Sequence, residues 1–415
     1  MRVGVKMKEM TRITKKEKSG MNRWMYVILG MIIMIFLGTV YSYSVFRLSL
    51  EREFLIGTTE SGMPYMIALA FYALFMFLTG KYINRFNPRL IILIGGYLVV
   101  LGWILSAFAP NIILLTIAYG CIGGAGVGVA YGVLMTVIAK WFPEKKGLAV
   151  GILLIGFGLS PLITAPLARL FVESYGVFTT FLIFGIGFGI ILPVLSYPFK
   201  YPTKEELKKV KSIPISQSSA KNFETKEMVK SKSFKGLYLN FVIGTMIGLM
   251  LIGLTTSVGI NFIGLEPNKV IRLVAFFAIF NGLGRPTFGW LTDKLSSKKA
   301  MLLSYSLISL AALFLLIAGS TNELVYVLSF SLFWFNMGGW LAIAPASTLR
   351  LYGLKNYSQN YGLVFTAYGI GAIIGVSSSG LLLDILKSYD AVFYYVIALS
   401  MLGIILTVTL IDDKK

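Results

Sequence analysis

The chain contains no histidine, a single cysteine and few charged residues. Without histidine there is no imidazole proton relay and no histidine-bound metal. The one cysteine, Cys121, cannot form an internal disulfide bond. Charged residues make up 13% of the chain, against roughly 25% in soluble domains. These scarcities argue against a soluble domain, a histidine metal site and a disulfide scaffold, and they favour an integral membrane protein.

Apolar residues are abundant instead, at 56% of the chain, with a mean hydropathy of +0.79. They form stretches of about the length that crosses the hydrocarbon core of a bilayer. Twelve such stretches are present, at residues 24–46, 62–79, 89–108, 112–138, 148–172, 177–199, 236–257, 270–290, 300–319, 323–345, 359–383 and 389–411. The sequence therefore predicts an all-α integral membrane protein with twelve transmembrane helices, called spans one to twelve below.

The basic residues are distributed unevenly between the two sides of this predicted bundle. If both termini are cytoplasmic, 31 of the 38 Lys and Arg residues lie in cytoplasmic segments and 4 on the opposite side. That asymmetry is the positive-inside rule. The net charge of +20 is thus explained by topology and the lipid bilayer, and nucleic-acid binding is not needed to explain it.

The spans fall into two sets of six. We predict a basic cytoplasmic tail at 1–23, an N-terminal half at 24–199, a C-terminal half at 236–411 and a short cytoplasmic tail at 412–415. A polar, Lys-rich linker at 200–235 joins the halves. We interpret the linker as a solvated tether, although residues 205–209 could form a short surface helix.

A short pattern occurs once in each half, at positions 209 residues apart. Glycine is followed by Asn or Asp four residues later, then by a base, and by another base after four more residues. Glycine would permit close helix contact, the polar residue would cap or pair, and the bases would face the cytoplasm. The residues are Gly80, Asn84, Arg85 and Arg89 after span two, and Gly289, Asp293, Lys294 and Lys298 after span eight.

One charge lies deep in an apolar stretch. Arg285 occupies the run 275–290, and none of the 18 acidic residues lies in the middle of a span. A membrane-buried guanidinium without a counter-ion costs about 3 to 10 kcal/mol or more. Its persistence suggests that a carboxylate substrate neutralises it. The alternative is that Arg285 bonds backbone carbonyls or packs on aromatic faces.

The paired loops resemble the signature of the major facilitator superfamily, except that Asn84 stands where Asp is more usual. This resemblance implies two pseudo-symmetric six-helix halves with a site between them and transport by alternating access. Four segments are also similar to the oxalate/formate antiporter family, which is related to the monocarboxylate transporters. They are residues 38–46, 126–132, 141–147 and 281–286.

This second resemblance implies a small organic anion as substrate and a cell inner (plasma) membrane as location. Arg285 would contact the carboxylate, and Tyr41 and Tyr131 match aromatic positions around the substrate. Tyr368 occupies the place of a family lysine in span eleven, which favours a monocarboxylate such as formate, lactate or pyruvate over oxalate. Asn281 lies one helical turn before Arg285 and could hold it or the substrate. Helix packing is the alternative for the three tyrosines, and a plain inter-helix hydrogen bond for Asn281.

Several alternatives stay open at the level of sequence. Transport could be antiport or proton-linked symport, and the chain could carry another small solute. A transporter-like sensor would need a large cytoplasmic signalling segment, and the linker and tails are short. We find no constellation typical of an enzyme, a metal site or a cofactor site, and expect a functional monomer.

Two further patterns concern packing and the ends of the spans. Gly124, Gly128 and Gly132 place small residues on one face of span four, which predicts close packing that can slide. Asp384 and Lys387 follow span eleven and could form gate contacts, although we interpret them as rim charges.

Overall fold

The computed structural model describes residues 22–83, 85–142, 146–203, 205–206, 223–318, 322–353 and 356–412. Over these ranges the chain is helical and contains no strand. Twelve long helical segments follow one another at the predicted places, so the prediction of an all-α bundle is confirmed. Because the number of helical segments is even, residues 23 and 410, at the two ends of the described bundle, lie on the same side of it. We call this the terminal side and the other the far side.

Two of the six spans of the N-terminal half are interrupted helices. Span one bends through a 3-10 turn at Gly38–Ser42, and span four contains a π-helical segment at Thr116–Gly123. The six spans are, in order, Arg23–Leu37 with Gly38–Ser42 and Ser44–Phe54, Thr58–Tyr82, Pro88–Ser106, Ile112–Leu115 with Thr116–Gly123 and Gly124–Trp141, Lys146–Tyr175, and Val177–Ser196.

The C-terminal half repeats this arrangement, and span seven changes to a π-helical segment at Val258–Phe262. Its six spans are, in order, Lys232–Ser257 with Val258–Phe262, Pro267–Leu295, Ser297–Ala318, Glu323–Tyr352, Tyr357–Leu386 and Tyr389–Leu410. Eleven of the twelve described spans are long and apolar enough to cross a membrane. The exception is span eight, Pro267–Leu295, whose apolar run is interrupted by Asn281 and Arg285.

Asparagine and serine side chains fix where several helices begin. Asn87 accepts a hydrogen bond from the backbone N–H of Arg89 at 3.0 Å, and Asn111 accepts one from Leu114 at 2.9 Å. Ser231 accepts one from Phe234 at 3.1 Å, so span seven begins at Lys232 rather than at the predicted 236. Each satisfies an amide that the first helical turn leaves without a partner.

The linker is more ordered near span seven than we predicted. Residues Thr225–Lys230 form a short helix that is docked on the C-terminal half. The backbone N–H of Phe223 donates to the carbonyl of Tyr352 at 3.0 Å, and the Thr225 hydroxyl bonds Asn360 at 2.8 Å. The tether interpretation is therefore wrong for this end of the linker. Residues 207–222, which include most of the predicted short helix at 205–209, lie outside the described residues.

The glycine face of span four packs against span two. A Cβ atom at Gly124 would lie 2.3 Å from the carbonyl oxygen of Ala68, and one at Gly128 would lie 2.3 Å from that of Tyr72. Both distances are far inside van der Waals contact, so only glycine fits at these positions. The prediction of close packing is confirmed at Gly124 and Gly128, whereas a Cβ at Gly132 would lie 3.4 Å from the Met76 side chain, which is an ordinary contact.

The two signature loops hold their own half together at the terminal side. In the first, the Arg89 guanidinium lies 3.7 Å from the ring centroid of Tyr197, which directly follows span six, and the Arg85 guanidinium lies 5.5 Å from the ring centroid of Tyr82. Asn84 lies outside the described residues. These contacts join the loop to its own half.

In the second loop the carbonyls of Thr292 and Asp293 accept hydrogen bonds from Arg350 at 3.2 and 3.3 Å. Lys298 donates to the carbonyl of Val408 at 2.9 Å, and the Lys294 ammonium lies 4.7 Å from the Trp290 ring centroid. This loop is thus tied to spans ten and twelve of its own half.

The two loop glycines do not serve as close helix contacts. A Cβ at Gly80 would meet no described atom within 4 Å, and one at Gly289 would make an ordinary contact with Ala342 at 3.8 Å. The interpretation that these two glycines permit close helix contact is therefore wrong for the described structure.

Contact between the halves runs mainly along two pairs of spans, two with eleven and five with eight. Small residues allow the helices of both pairs to pack closely. A Cβ at Gly369 of span eleven would lie 2.9 Å from the Ala73 side chain, and one at Gly282 of span eight would lie 2.9 Å from Leu159. The residues between these pairs lie at the centre of the bundle.

Candidate functional site

Arg285 lies at this centre, on span eight, and is only 3% exposed. Its Nη2 is 3.5 Å from the side-chain oxygen of Asn281, which is a long hydrogen bond. Its Nε and Nη1 have no hydrogen-bond partner among the residues that the structure describes. The guanidinium is therefore buried, charged and largely without acceptors.

Span five approaches this charge closely. A Cβ at Gly158 would lie 2.7 Å from the Asn281 side-chain oxygen and 3.2 Å from Arg285 Nε, so a side chain there would displace both groups. The neighbouring Phe157 places its ring centroid 5.9 Å from the Arg285 guanidinium carbon. Arg285 therefore lies against the opposite half of the molecule, next to an aromatic ring.

Asn281 serves two purposes at once. Its amide nitrogen donates to the backbone carbonyl of Trp334 in span ten at 3.2 Å, and its oxygen faces Arg285. The inter-helix bond fixes the amide orientation, and that orientation turns an acceptor toward the guanidinium. The packing role and the positioning role, which we weighed as alternatives, are thus compatible.

Tyr41 and Tyr368 join the two halves directly. Their hydroxyl oxygens are 3.0 Å apart and both side chains are buried. Tyr41 belongs to the Gly38–Ser42 turn that interrupts span one, whereas Tyr368 belongs to span eleven. The break in the helix thus coincides with the point where span one contributes to the site.

Aromatic rings surround this point from both halves, and we call them the aromatic cage. Phe157 contacts Tyr41 and Tyr131 edge to face, with centroids 5.1 and 5.3 Å apart. Tyr72 lies 5.4 Å from both Phe365 and Tyr368. The cage consists of Tyr41, Tyr72, Tyr131, Phe157, Phe365 and Tyr368, all of them buried.

The structure brings all five predicted residues of the site together. Arg285 and Asn281 form its polar floor, and Tyr41, Tyr131 and Tyr368 are part of the cage. Phe157 lies between them, since its ring contacts Tyr41 and Tyr131 and faces the Arg285 guanidinium.

Three cage residues were not predicted: Tyr72, Phe157 and Phe365. The available signals were weak. Phe157 directly precedes Gly158, and Phe365 lies one helical turn before Tyr368. Many other aromatic residues of the spans have comparable surroundings in the sequence.

The arrangement suits a small anion. The Arg285 guanidinium and the hydroxyl groups of the four cage tyrosines lie among aromatic rings. Hydrogen-bond donors in such a place orient a polar ligand, and the rings exclude water. A planar guanidinium can bind a carboxylate through two parallel hydrogen bonds. The cage and its floor contain Arg, Asn, Tyr and Phe, and the described residues hold no cluster of three or more metal-ligating side chains.

The chain matches one protein-family model, described as the Major Facilitator Superfamily. The match covers residues 27–350, with a further match over 238–415. It therefore includes both halves and every residue of the cage.

Individual relatives are more distant. The chain is 26% identical to the oxalate:formate antiporter of Oxalobacter formigenes over 356 residues, which is 85% of this chain and 83% of that protein. It is 25% identical to an uncharacterized MFS-type transporter of Escherichia coli, and the match covers 85% of this chain and 86% of that protein. Monocarboxylate transporter 12 of Xenopus laevis is 28% identical, covering 76% of this chain and 72% of its own length.

Proposed function

The chain belongs to the major facilitator superfamily, whose members are transporters, and on that basis we propose that it carries small monocarboxylates across a membrane. The two halves would rock about the central site and expose it to each side in turn. The observation that carries this proposal is Arg285, a buried guanidinium with two nitrogens that have no acceptor among the described residues. A substrate carboxylate supplies the missing charge and the missing acceptors.

The number of cations in the site favours substrates with one carboxylate. Arg285 is the cation among the described residues of the cage and its floor. Where the related family has a lysine, this chain has Tyr368, whose hydroxyl is hydrogen-bonded to that of Tyr41. A second carboxylate would lose its hydration and find only tyrosine hydroxyls as partners. Burying it in the site would therefore cost free energy. We therefore propose formate, lactate or pyruvate as substrates and oxalate as a poorer one.

The relatives support the same chemical class. One is an oxalate:formate antiporter and another is a monocarboxylate transporter, and in both cases the name denotes a small carboxylate. Because these relatives are only distantly similar in sequence, the residues of this chain have to decide which carboxylate is carried. In our proposal, Arg285 and Tyr368 together favour an anion with one carboxylate over an anion with two.

We propose that transport is an exchange of anions. The cage and its floor contain neither a carboxyl nor an imidazole group, so a proton would have to travel with the substrate. When substrate leaves, Arg285 is again buried without a counter-ion, and that state is costly. The loaded site therefore reorients more readily than the empty one, which is the condition for exchange. Proton-linked symport is the alternative within the same architecture.

The topology completes the proposal. Basic residues are concentrated at the terminal side, so we place that side and both termini in the cytoplasm of a cell with this protein in its inner membrane. The far side is then the outer side. One chain contains both halves and the whole site, so a monomer suffices for function.

The test is uptake into proteoliposomes of radiolabelled formate, lactate, pyruvate and oxalate, each with and without internal counter-substrate. We expect saturable uptake of at least one monocarboxylate at a higher initial rate than oxalate, and stimulation by internal substrate. Faster oxalate uptake would contradict the single-cation argument. Strong uptake driven by a pH gradient, with no stimulation by internal anion, would contradict exchange.

A further inference from the structure

We propose that Arg47 and Asp384 close the outer entrance to the central site by polar contacts that cross from one half to the other. These contacts break when the site opens outward. The inference depends on the two-half mechanism and topology proposed above, but not on which anion is carried.

Arg47 lies near the outer end of span one and is 1% exposed. The predicted end of span one at residue 46, which puts Arg47 in the outer segment that follows, is wrong. The helix continues through Ser44–Phe54 and turns the side chain inward. A fully buried arginine at this place requires acceptors for its five N–H groups.

All three guanidinium nitrogens of Arg47 have partners. Nε donates to the Ser61 hydroxyl at 2.9 Å, and Nη2 donates to the carbonyl of Thr58. Both partners are in span two of the same half. Nη1 donates to the carbonyl of Gly253 at 3.0 Å, and Gly253 is in span seven of the other half. The guanidinium is therefore oriented by its own half and reaches across with one nitrogen.

The charge of Arg47 is balanced within the same half. Its Nε is 3.6 Å from a carboxylate oxygen of Glu51, one helical turn later. The Ser61 hydroxyl donates to the same oxygen at 2.6 Å. This pair persists when the halves separate, so outward opening removes one hydrogen bond from Arg47 without leaving a buried charge alone.

Asp384 makes the reciprocal contact from span eleven. One of its oxygens accepts from the backbone N–H of Thr58 at 3.0 Å and the other accepts from that of Thr59 at 2.9 Å. These are the first two amides of span two, which have no acceptor within their own helix. A carboxylate is also favoured there by the helix dipole. Asp384 is thus an inter-half contact, and our interpretation of it as a rim charge was wrong.

Glycine makes the approach possible. A Cβ at Gly57 would lie 3.1 Å from the Asp384 carboxylate, and one at Gly380 would lie 2.7 Å from the Cα of Thr59. Backbone and carboxylate therefore meet directly, without intervening side chains. The described inter-half bonds of Arg47 and Asp384 lie toward the outer side of the Tyr41–Tyr368 bond, as a closure of that entrance requires.

The experiment measures access to a thiol placed between the entrance and the cage. Val376 is buried on span eleven, midway in sequence between Tyr368 and Asp384, and it contacts Gly62 of span two. In a Cys121→Ala background, Val376→Cys is labelled from outside with a membrane-impermeant methanethiosulfonate. We expect Arg47→Ala and Asp384→Asn each to raise the labelling rate roughly tenfold, as expected for loss of a charge-assisted hydrogen bond.

Arg169→Ala is the matched control. Arg169 is also near the outer end of a span, but it pairs with Glu173 within span five and does not cross between the halves. We expect this variant to be labelled at the background rate. Asp384→Asn preserves size, so it carries the test if Arg47→Ala does not fold.

Unchanged labelling in both test variants, with elution profile and thermal stability preserved, would overturn the proposal. A comparable rise in Arg169→Ala would also overturn it, because the effect would then be general loosening. The assay uses no substrate. Failure of all four anions to be transported would therefore contradict the substrate proposal and leave the result on the entrance standing.

Discussion

Among the residues, the two buried arginines differ in what surrounds them. Arg47 has acceptors for every nitrogen and a carboxylate beside it, whereas Arg285 has one long hydrogen bond to Asn281. A buried arginine whose nitrogens all have acceptors stabilises the structure. One with nitrogens that lack acceptors among the described residues can bind a ligand, and our proposals that Arg47 closes the entrance and that Arg285 binds the anion rest on this difference.

Tyr368→Lys should shift selectivity toward oxalate. The new ammonium would lie beside the hydroxyl of Tyr41 and supply the second cation that a dianion requires. We expect the ratio of oxalate to formate initial rates to rise roughly tenfold, the scale of one hydrogen bond to a charged group. Proteoliposome uptake of the two labelled anions measures this ratio.

Tyr368→Phe is the control for that change, because it removes the hydroxyl pair without adding charge. We expect it to leave the ratio within about twofold, since neither anion gains a charged partner. An unchanged ratio in Tyr368→Lys, in a protein that still transports formate, would remove Tyr368 from the site.

Single residues show how far the sequence alone reaches. Arg285 could be found because a charge in the middle of an apolar run is rare, and Asn281 because helical spacing places it on the same face. Arg47 could not, because Ser49 and the charged residues 51–53 soon follow it and interrupt the apolar stretch. Its burial depends on Ser61 and Gly253, and Gly253 lies 206 positions away along the chain.

At the scale of helices, glycine determines which surfaces meet. The face of span four that carries Gly124 and Gly128 packs on the backbone of span two, and this places Tyr72 and Tyr131 together with ring centroids 5.1 Å apart. Helix packing therefore builds part of the cage. The glycine spacing was visible in the sequence, but the partner helix was not.

Gly128→Ala should destabilise the protein. Its Cβ would lie 2.3 Å from the carbonyl oxygen of Tyr72, so span two must move. Overpacking of this kind costs about 1–3 kcal/mol. We expect a lower midpoint of thermal unfolding in detergent and slower uptake of the transported anion.

Gly151→Ala is the matched control, since no described atom lies within 4 Å of the added Cβ. It should leave the midpoint unchanged or raise it, because alanine favours the helix. Equal midpoints for Gly128→Ala and the unsubstituted protein would show that the two spans adjust without cost.

Helix number and order followed from hydropathy, because each crossing needs a long apolar segment. The first and last residues of the helices were predicted less accurately from hydropathy. Span one extends eight residues beyond its predicted end to Phe54, and the described end of the linker, from Phe223, is docked on the C-terminal half. Hydrogen bonds to distant spans stabilise both. The cage was predicted in part, because aromatic residues occur throughout the spans and only the crossing of helices selects among them.

For the whole molecule, the site and the entrance belong to one mechanism. The cage takes residues from both halves, and so does the closure by Arg47 and Asp384. In the proposed mechanism, rocking of the halves would change access and the surroundings of Arg285 together. A substrate anion that neutralises Arg285 would lower the cost of passing through a closed intermediate, which would link binding to movement.

The most direct test of the central claim is counterflow in proteoliposomes, using whichever of the four labelled anions the unsubstituted protein carries fastest. Arg285→Ala is compared with Arg272→Ala, the same substitution at an exposed position of the same span. Arg285→Lys is included because it keeps the positive charge but loses the planar guanidinium, which can bind a carboxylate through two hydrogen bonds. Thermal unfolding of each variant reports on folding.

We predict that Arg285→Ala abolishes counterflow while the protein remains folded, that Arg285→Lys loses most of it, and that Arg272→Ala retains it. Counterflow at the unsubstituted rate in Arg285→Ala would contradict the claim that this guanidinium binds the transported anion.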